Sequence, residues 1–377
     1  MRFVIFGLTL SSSWGNGHAT LWRGLLRALA RRGHSIVFFE HDVPYYARHR
    51  DLHGMPGVTL ALYEDWASIH PRARSEVADA DVVIITSYCP HAAEANRTAL
   101  EDALGALRVF YDLDTPVTLA RLSKGHSVEY LPPEGLSSFD LVLSFTGGAA
   151  LAALRERLGA RRVEPLYGHA DPLTHRPVPG EERYRGDVSY LGTYSADRQR
   201  ALERLFIESA KARPEIRFML GGSGYPQDFP WTSNLYFVQH VPPADHPAFF
   251  CSSRLTLNVT RGDMAAMGFC PSGRLFEAAA CGVPTISDRW EGLDRFFTPG
   301  EEILTAETTE EALAALDLPA SELALIARQA RARALDEHSS EHRARELLDL
   351  LDDVDRTRSS PHALPQIVGD SVRTGMS

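Results

Sequence analysis

Residues 271–297, PSGRLFEAAACGVPTISDRWEGLDRFF, have the pattern of a helix that opens at a sheet edge and drops straight into a buried strand. Ser272 stands where an N-cap belongs, and Gly282 with Pro284 stops the helix. Ala278, Ala279, Ala280 and Cys281 are small enough to let the helix lie close to a sheet, and its first-turn N–H groups are free to bind an anion. Glu277 follows inside the helix, where a carboxylate can grip hydroxyls beside that anion. A diphosphate at a helix N-terminus with a ribose held by an acid is the chemistry of a nucleotide-sugar site.

Around this stretch, short apolar runs alternate with helical periods, which predicts an α/β chain of two parallel-sheet units. Residues 1–165 make the first unit. It opens with a strand at Arg2–Leu8, a long loop, and a helix from about Thr20 whose Leu21, Leu25, Leu26 and Leu29 form one stripe. Strands follow at Ile36–Phe39, Val82–Thr86, Val109–Tyr111 and Leu141–Phe145. The proline-marked run PLYGHADPLTHRPVP (165–179) makes 166–182 a linker. Residues 183–335 make the second unit, with strands Val188–Gly192, Arg217–Leu220, Leu255–Val259 and Val283–Ser287 and a helix Asp197–Arg213. A last helix is expected within 336–355, and 356–377, which lack periodicity, are expected to form a flexible tail. Two such units leave a cleft between the C-terminal edges of their sheets, where ligands of this architecture bind.

A chain of 377 residues with 44% hydrophobic composition can bury a core in each of two domains. A net charge of −10 and a pI near 5.8 argue against a nucleic-acid partner, since phosphate-backbone binding relies on clustered Lys and Arg. The lysines are Lys124 and Lys211 alone, so phosphate recognition falls to arginine and backbone amides. Cys89, Cys251, Cys270 and Cys281 have no metal-ligand or disulfide spacing, which suits a reduced cytoplasm. The apolar start Phe3–Leu10 is too short to span a membrane and reads as a buried strand, and no transmembrane segment is expected.

Glu277, Ala278, Ala280, Gly282 and Pro284 resemble the donor-binding motif E-A-x-A-x-G-x-P of group 1 glycosyltransferases. The resemblance implies the GT-B fold, two Rossmann-like domains with a C-terminal crossing helix, and a nucleoside diphosphate sugar whose ribose Glu277 binds. Many relatives have a second glutamate eight positions earlier, where this chain has Phe269. The stretches SSSWGNGHAT (11–20), DLDTPVTLARL (112–122) and SFTGGAAL (144–151) are similar to the spore-maturation CgeB-like branch.

The strand-end loops then carry the chemistry. Gly15, Gly17 and His18 precede the first helix, where backbone amides can approach the donor and His18 is a candidate general base. Gly192 with Tyr194, and Gly222 with Ser223, follow strands of the second unit and allow close approach of a nucleotide. His240 and Val241 match the family position whose backbone contacts the base. Arg198 and Arg274 are candidates to hold the departing diphosphate, with Ser272 and Gly273 at the helix start. Asp114, in YDLDTP, is either a base or a turn residue. With Asp112 it spells the D-x-D metal pattern of another glycosyltransferase fold, but on the acceptor side, so no metal is expected. Glu40 reads as a solvated strand end. His338-Ser339-Ser340-Glu341-His342 spells a zinc-peptidase pattern without a further ligand and is discounted.

The expected function is therefore metal-independent sugar transfer to an unidentified acceptor on the first domain, with no cofactor besides the donor. A 2-epimerase-like isomerase shares the layout, and a noncatalytic nucleotide-sugar sensor shares the donor site. An NAD-linked oxidoreductase fits less well, because Thr20 replaces the third glycine after Gly15-x-Gly17 and the loop before it is too long for the tight turn. The donor motif favours retention at the anomeric carbon, whereas a His18 base would suit inversion.

Overall fold

The computed structural model describes residues 1–359 and contains two parallel sheets. The first comprises β1 (Arg2–Phe6), β2 (Ser35–His41), β3 (Val58–Tyr63), β4 (Val82–Thr86), β5 (Leu107–Asp112), β6 (Leu141–Ser144) and β7 (Val163–Pro165), in the order β3-β2-β1-β4-β5-β6-β7. The second comprises β8 (Gly186–Leu191), β9 (Phe218–Gly222), β10 (Leu235–Gln239), β11 (Ser253–Asn258), β12 (Thr285–Ser287) and β13 (Leu304–Thr305), in the order β10-β9-β8-β11-β12-β13. β1 shows the logic of the sheets: Val4 and Phe6 enter one core while Phe3 and Ile5 enter the other. A strand buried on both faces belongs to a parallel sheet covered by crossover helices.

Missing from the strands expected in the sequence are β3, β7, β10 and β13, the four edges of the two sheets. β7 and β13 are too short to give a pattern, whereas β3 (VTLALY) and β10 (LYFVQ) are apolar runs that were passed over. β10 exposes Tyr236 and Phe237, and β13 has two residues. The helix expected over Asp197–Arg213 is instead Ala196–Leu202 followed by a π-type turn, Glu203–Ile207, and Glu208–Ala212. The wider turn buries the consecutive residues Leu205, Phe206 and Ile207, which a regular 3.6-residue period would spread around the helix.

The last helix, Ser340–Ser359, crosses back onto the helix His18–Arg31. Its Ala344, Leu347, Leu351 and Val354 join Trp22, Leu25 and Leu29 in one core. The helix therefore runs past Arg356, where a tail was expected to begin, and 360–377 lie outside the described residues. His338, at the turn into it, is buried and faces the Phe296 carbonyl through Nε2 (3.2 Å), while Arg343 donates to its Nδ1 (2.9 Å). Both ring nitrogens thus serve packing. No helix among the described residues is long and apolar enough to cross a membrane.

Glu40 is a correction to the sequence reading, because it is fully buried. Its carboxylate accepts from the Leu10 and Ser11 N–H groups (2.7 and 2.8 Å) and from the Thr9 and Ser11 hydroxyls (3.0 and 2.6 Å). It pins the long loop after β1, and a carboxylate so fully hydrogen-bonded tolerates burial. At the joint between domains, Gly24 lets the first helix approach the linker, since a Cβ there would lie 2.7 Å from His169 Nε2.

Candidate functional site

The C-terminal ends of the two sheets face each other across a cleft of ≈ 610 Å³. Gly15, Gly17, His18 and Asp114 line it from the first domain, and Gly192, Tyr194, Arg198, Gly222 and Ser223 from the second. His240 and Val241 line it after β10, and Ser272, Gly273, Arg274 and Glu277 at the helix Gly273–Ala280. The fold thus gathers these strand-end residues at one cleft, while Asp112 and Glu40 lie outside it.

That helix forms as its sequence suggests, with Leu275, Phe276, Ala279 and Ala280 in one core and Ala278 in another. Ser272 sits at the N-cap position but its side chain makes no capping bond, contrary to expectation. Arg274 projects from the first turn, its guanidinium 5.7 Å from the Tyr190 ring centre, with Nη1 buried and without a hydrogen-bond partner. Burial lowers its proton affinity, and the positive charge of Arg198 lowers it further. Arg198 donates to the Tyr190 hydroxyl through Nη1 (3.1 Å), while its Nε is buried and unpartnered. Two cations and a helix N-terminus therefore converge with N–H groups to spare.

The glycine loops beside them are tightly apposed. At Gly222, φ is +148°, and a Cβ would fall 1.9 Å from the Gly192 carbonyl, so only glycine fits. His240 has the left-handed φ of 55°, and its ring lies 4.5 Å from Trp14 of the first domain, which stacks on His49 at 3.8 Å. Phe269, in the place of the family's second glutamate, also has a left-handed φ of 46°. Its ring packs near Gly148 and Gly292, and its carbonyl accepts from the Gly147 N–H (2.9 Å), so it joins the two domains.

Glu277 is buried behind the helix start. Its Oε2 lies 3.3 Å from His246 Nδ1 and 3.9 Å from His175 Nε2, without hydrogen-bond alignment to either. Burial alone would raise its pKa, but His175, His246 and Arg274 outweigh burial and hold it at about 2. His175 is itself pushed below its ordinary value by burial. The Asp171 N–H donates to His175 Nδ1 (3.1 Å), so in the neutral ring the proton is on Nε2, facing Glu277. The three donor atoms fall within 4.8 Å of one another, yet a metal would need a lone pair on the nitrogen that carries this proton. Proline-rich sequence around His175 hid it, and no spacing links it to Glu277.

On the first domain, His18 begins the helix His18–Arg31 and faces Tyr88 edge-on at 5.7 Å. Its Nδ1 is covered and unpartnered. Burial lowers its pKa, and the Asp114 carboxylate partly opposes that. Asp114 occupies the N-cap position of the helix Thr115–Ser123 without capping it, leaving its carboxylate to the cleft. Asp112 lies wholly inside the core, where burial raises its carboxyl to about 6 and Oδ1 accepts from the Asp114 N–H (3.0 Å). The two acids do not face the cleft as a pair. Tyr88, in the cleft with the unusual φ of 60°, was missed in the sequence, although it follows β4 as the other site loops follow their strands.

Residues 198–349 match the family model described as glycosyl transferase-like. No curated protein sequence matches the chain. Among solved structures, sucrose-phosphate synthase from Thermosynechococcus elongatus is similar with a TM-score of 0.69 at 14% identity, over 94% of this chain and 99% of that one. HepE of Anabaena, solved with UDP-glucose, gives 0.66 at 12% identity over 94% and 100%. An alpha-glucosyltransferase solved with UDP gives 0.67 at 12% identity over 93% and 100%. These likenesses establish the GT-B fold.

Proposed function

We propose that this chain is a glycosyltransferase that moves a sugar from a nucleoside diphosphate to an acceptor on its first domain, a reading supported by the glycosyl transferase-like match over residues 198–349 and by the GT-B fold. The observation that carries the reading is the arginine pair. Arg198 and Arg274 repel each other in a shared cleft and keep buried N–H groups unpaired, an arrangement that an anion between them relieves. A diphosphate at the N-terminus of Gly273–Ala280 supplies that anion, and Glu277, held ionised, takes the ribose hydroxyls. HepE and the alpha-glucosyltransferase, solved with UDP-glucose and UDP, support a nucleotide of this kind.

Negative charge grows on the diphosphate as the glycosidic bond breaks, and guanidiniums aimed there stabilise the transition state more than the ground state. The reaction then needs no metal and no cofactor besides the donor. His18, kept neutral by burial, with Asp114 beside it, is the general base for the acceptor hydroxyl. Placement in the CgeB-like branch rests on the stretches 11–20, 112–122 and 144–151, and a cytoplasmic site of action on the four free cysteines.

Thermal-shift measurements with UDP-, GDP- and dTDP-sugars against NAD and NADP test the reading. A sugar nucleotide at a hundred times its Kd stabilises the folded protein by about 2.7 kcal/mol. Stabilisation by NAD and by no sugar nucleotide overturns it. Transfer that persists in EDTA supports the metal-free mechanism; loss in EDTA with rescue by Mg²⁺ or Mn²⁺ removes it.

A further inference from the structure

The segment between the two sheets holds a chain of contacts that ends on the donor site. Arg27, on the first-domain helix His18–Arg31, pairs with the Asp171 carboxylate and donates to the Thr174 hydroxyl (3.2 Å). Asp171 also organises its own turn: its side chain accepts from the Leu173 N–H (3.1 Å), and its carbonyl accepts from the Thr174 and His175 N–H groups (2.9 and 2.6 Å). The Asp171 N–H in turn donates to His175 Nδ1 (3.1 Å). An amide N–H can only donate, so Nδ1 is the bare nitrogen and the ring proton sits on Nε2.

The His175 side chain is 2% exposed, and Nε2 has no hydrogen-bond partner among the described residues. It lies 3.9 Å from Glu277 Oε2, with His246 Nδ1 at 3.3 Å from the same oxygen and the three atoms within 4.8 Å of one another. Oε1 lies beside Gly273, where a Cβ would be 3.6 Å away, and Gly273 lines the cleft. The two oxygens of one carboxylate therefore face different partners.

We propose that His175 is a positioning residue for donor binding: fixed by Asp171 as the Nε2–H tautomer, it orients Oε2 of Glu277 and leaves Oε1 directed at the ribose hydroxyls. The inference rests on the nucleotide-sugar reading of the cleft. Because Arg27 of the first domain anchors Asp171, the ribose-binding acid is referenced to the domain that carries the acceptor, and the donor is oriented relative to it. A carboxylate free to rotate would bind ribose with less order, and fixing it in advance lowers the entropic cost of binding.

A calorimetric double-mutant cycle with UDP as the probe tests this. Glu277→Ala is expected to weaken UDP binding roughly 10- to 100-fold, the range for hydrogen bonds to a charged group. His175→Phe, which fills the ring's space without the N–H, is expected to weaken it roughly 5- to 30-fold. The double variant should bind no more weakly than Glu277→Ala alone, because His175 acts only through Glu277. His175→Gln, which restores an N–H donor at that end of the side chain, should recover most of the loss. Additive losses, or no loss in His175→Phe while Glu277→Ala loses affinity, overturn the role of His175 and leave the nucleotide reading standing. Unchanged affinity in Glu277→Ala overturns the reading itself, and the inference with it. A readout that needs no variant is the ¹⁵N spectrum of histidine-labelled wild-type protein: the proposal requires the His175 proton on Nε2, and a proton on Nδ1 refutes it.

Discussion

His18 and Glu277 line the cleft from different domains, and burial acts on them in opposite directions. Burial lowers the His18 pKa below 6.5, so the ring stays neutral and basic throughout the neutral range. Turnover should be level from about pH 7 to 8 and fall only on the acid side of 6.5, as the ring takes up a proton. A limb at or above that value in the pH–rate profile would exclude His18 as the base. His18→Ala should lower turnover by roughly two to four orders of magnitude. Glu277 is held at about 2, below its ordinary 4.5, so its ionised form stabilises the fold fully above 4.5, and that contribution is lost as pH falls toward 2. Urea unfolding followed across that window should show a shallower acid decline for Glu277→Gln than for the parent protein. Glu277 and Arg274 could be singled out because motif and helix start lie together in sequence, and Arg198 because it follows the glycine loop after a strand. His175, His246 and Tyr88 were not, because tertiary contact alone brings them to the site.

Elements follow the same division. The helix Gly273–Ala280 could be read from its small residues and its Gly282 stop, because local composition decides both. Its uncapped start could not, since Ser272 keeps the right position but not the bond. The interior strands were legible as apolar runs; of the edge strands, β3 (VTLALY) and β10 (LYFVQ) carry the same signal and were passed over, whereas β7 and β13 are too short to show one and are fixed by pairing with a neighbour. The π-type turn at Glu203–Ile207 escapes periodicity for a related reason: it exists to bury three successive apolar residues. The crossing helix Ser340–Ser359 supplies Leu347, 1% exposed, to the first-domain core. Leu347→Ala should cost about 2–5 kcal/mol through lost burial and the cavity left behind. A fall in the melting temperature of the first domain checks it, and an unchanged transition would mean that the helix is not part of that core.

At the scale of the whole molecule, the two sheets turn their C-terminal ends toward one cleft, and interdomain contacts surround it. Trp14 stacks with His49 and meets His240, Phe269 bridges Gly147 and Gly292, and the Arg27–Asp171 pair ties the linker to the first domain. Trp14→Ala should therefore loosen closure over the base end of the cleft and raise the KM for donor more than it lowers kcat, which steady-state kinetics would resolve. A fall in kcat with KM unchanged would place Trp14 in the chemical step instead. The central claim is that Arg198 and Arg274 form a diphosphate site, and calorimetric titration with UDP and with uridine tests it most directly. The parent protein should prefer UDP to uridine by about 100-fold or more, from two charge-assisted hydrogen-bonding groups at about 1.5–3 kcal/mol each. The Arg198→Ala/Arg274→Ala variant should lose most of that preference while its uridine affinity stays the same. A variant that still prefers UDP as strongly as the parent would contradict the account.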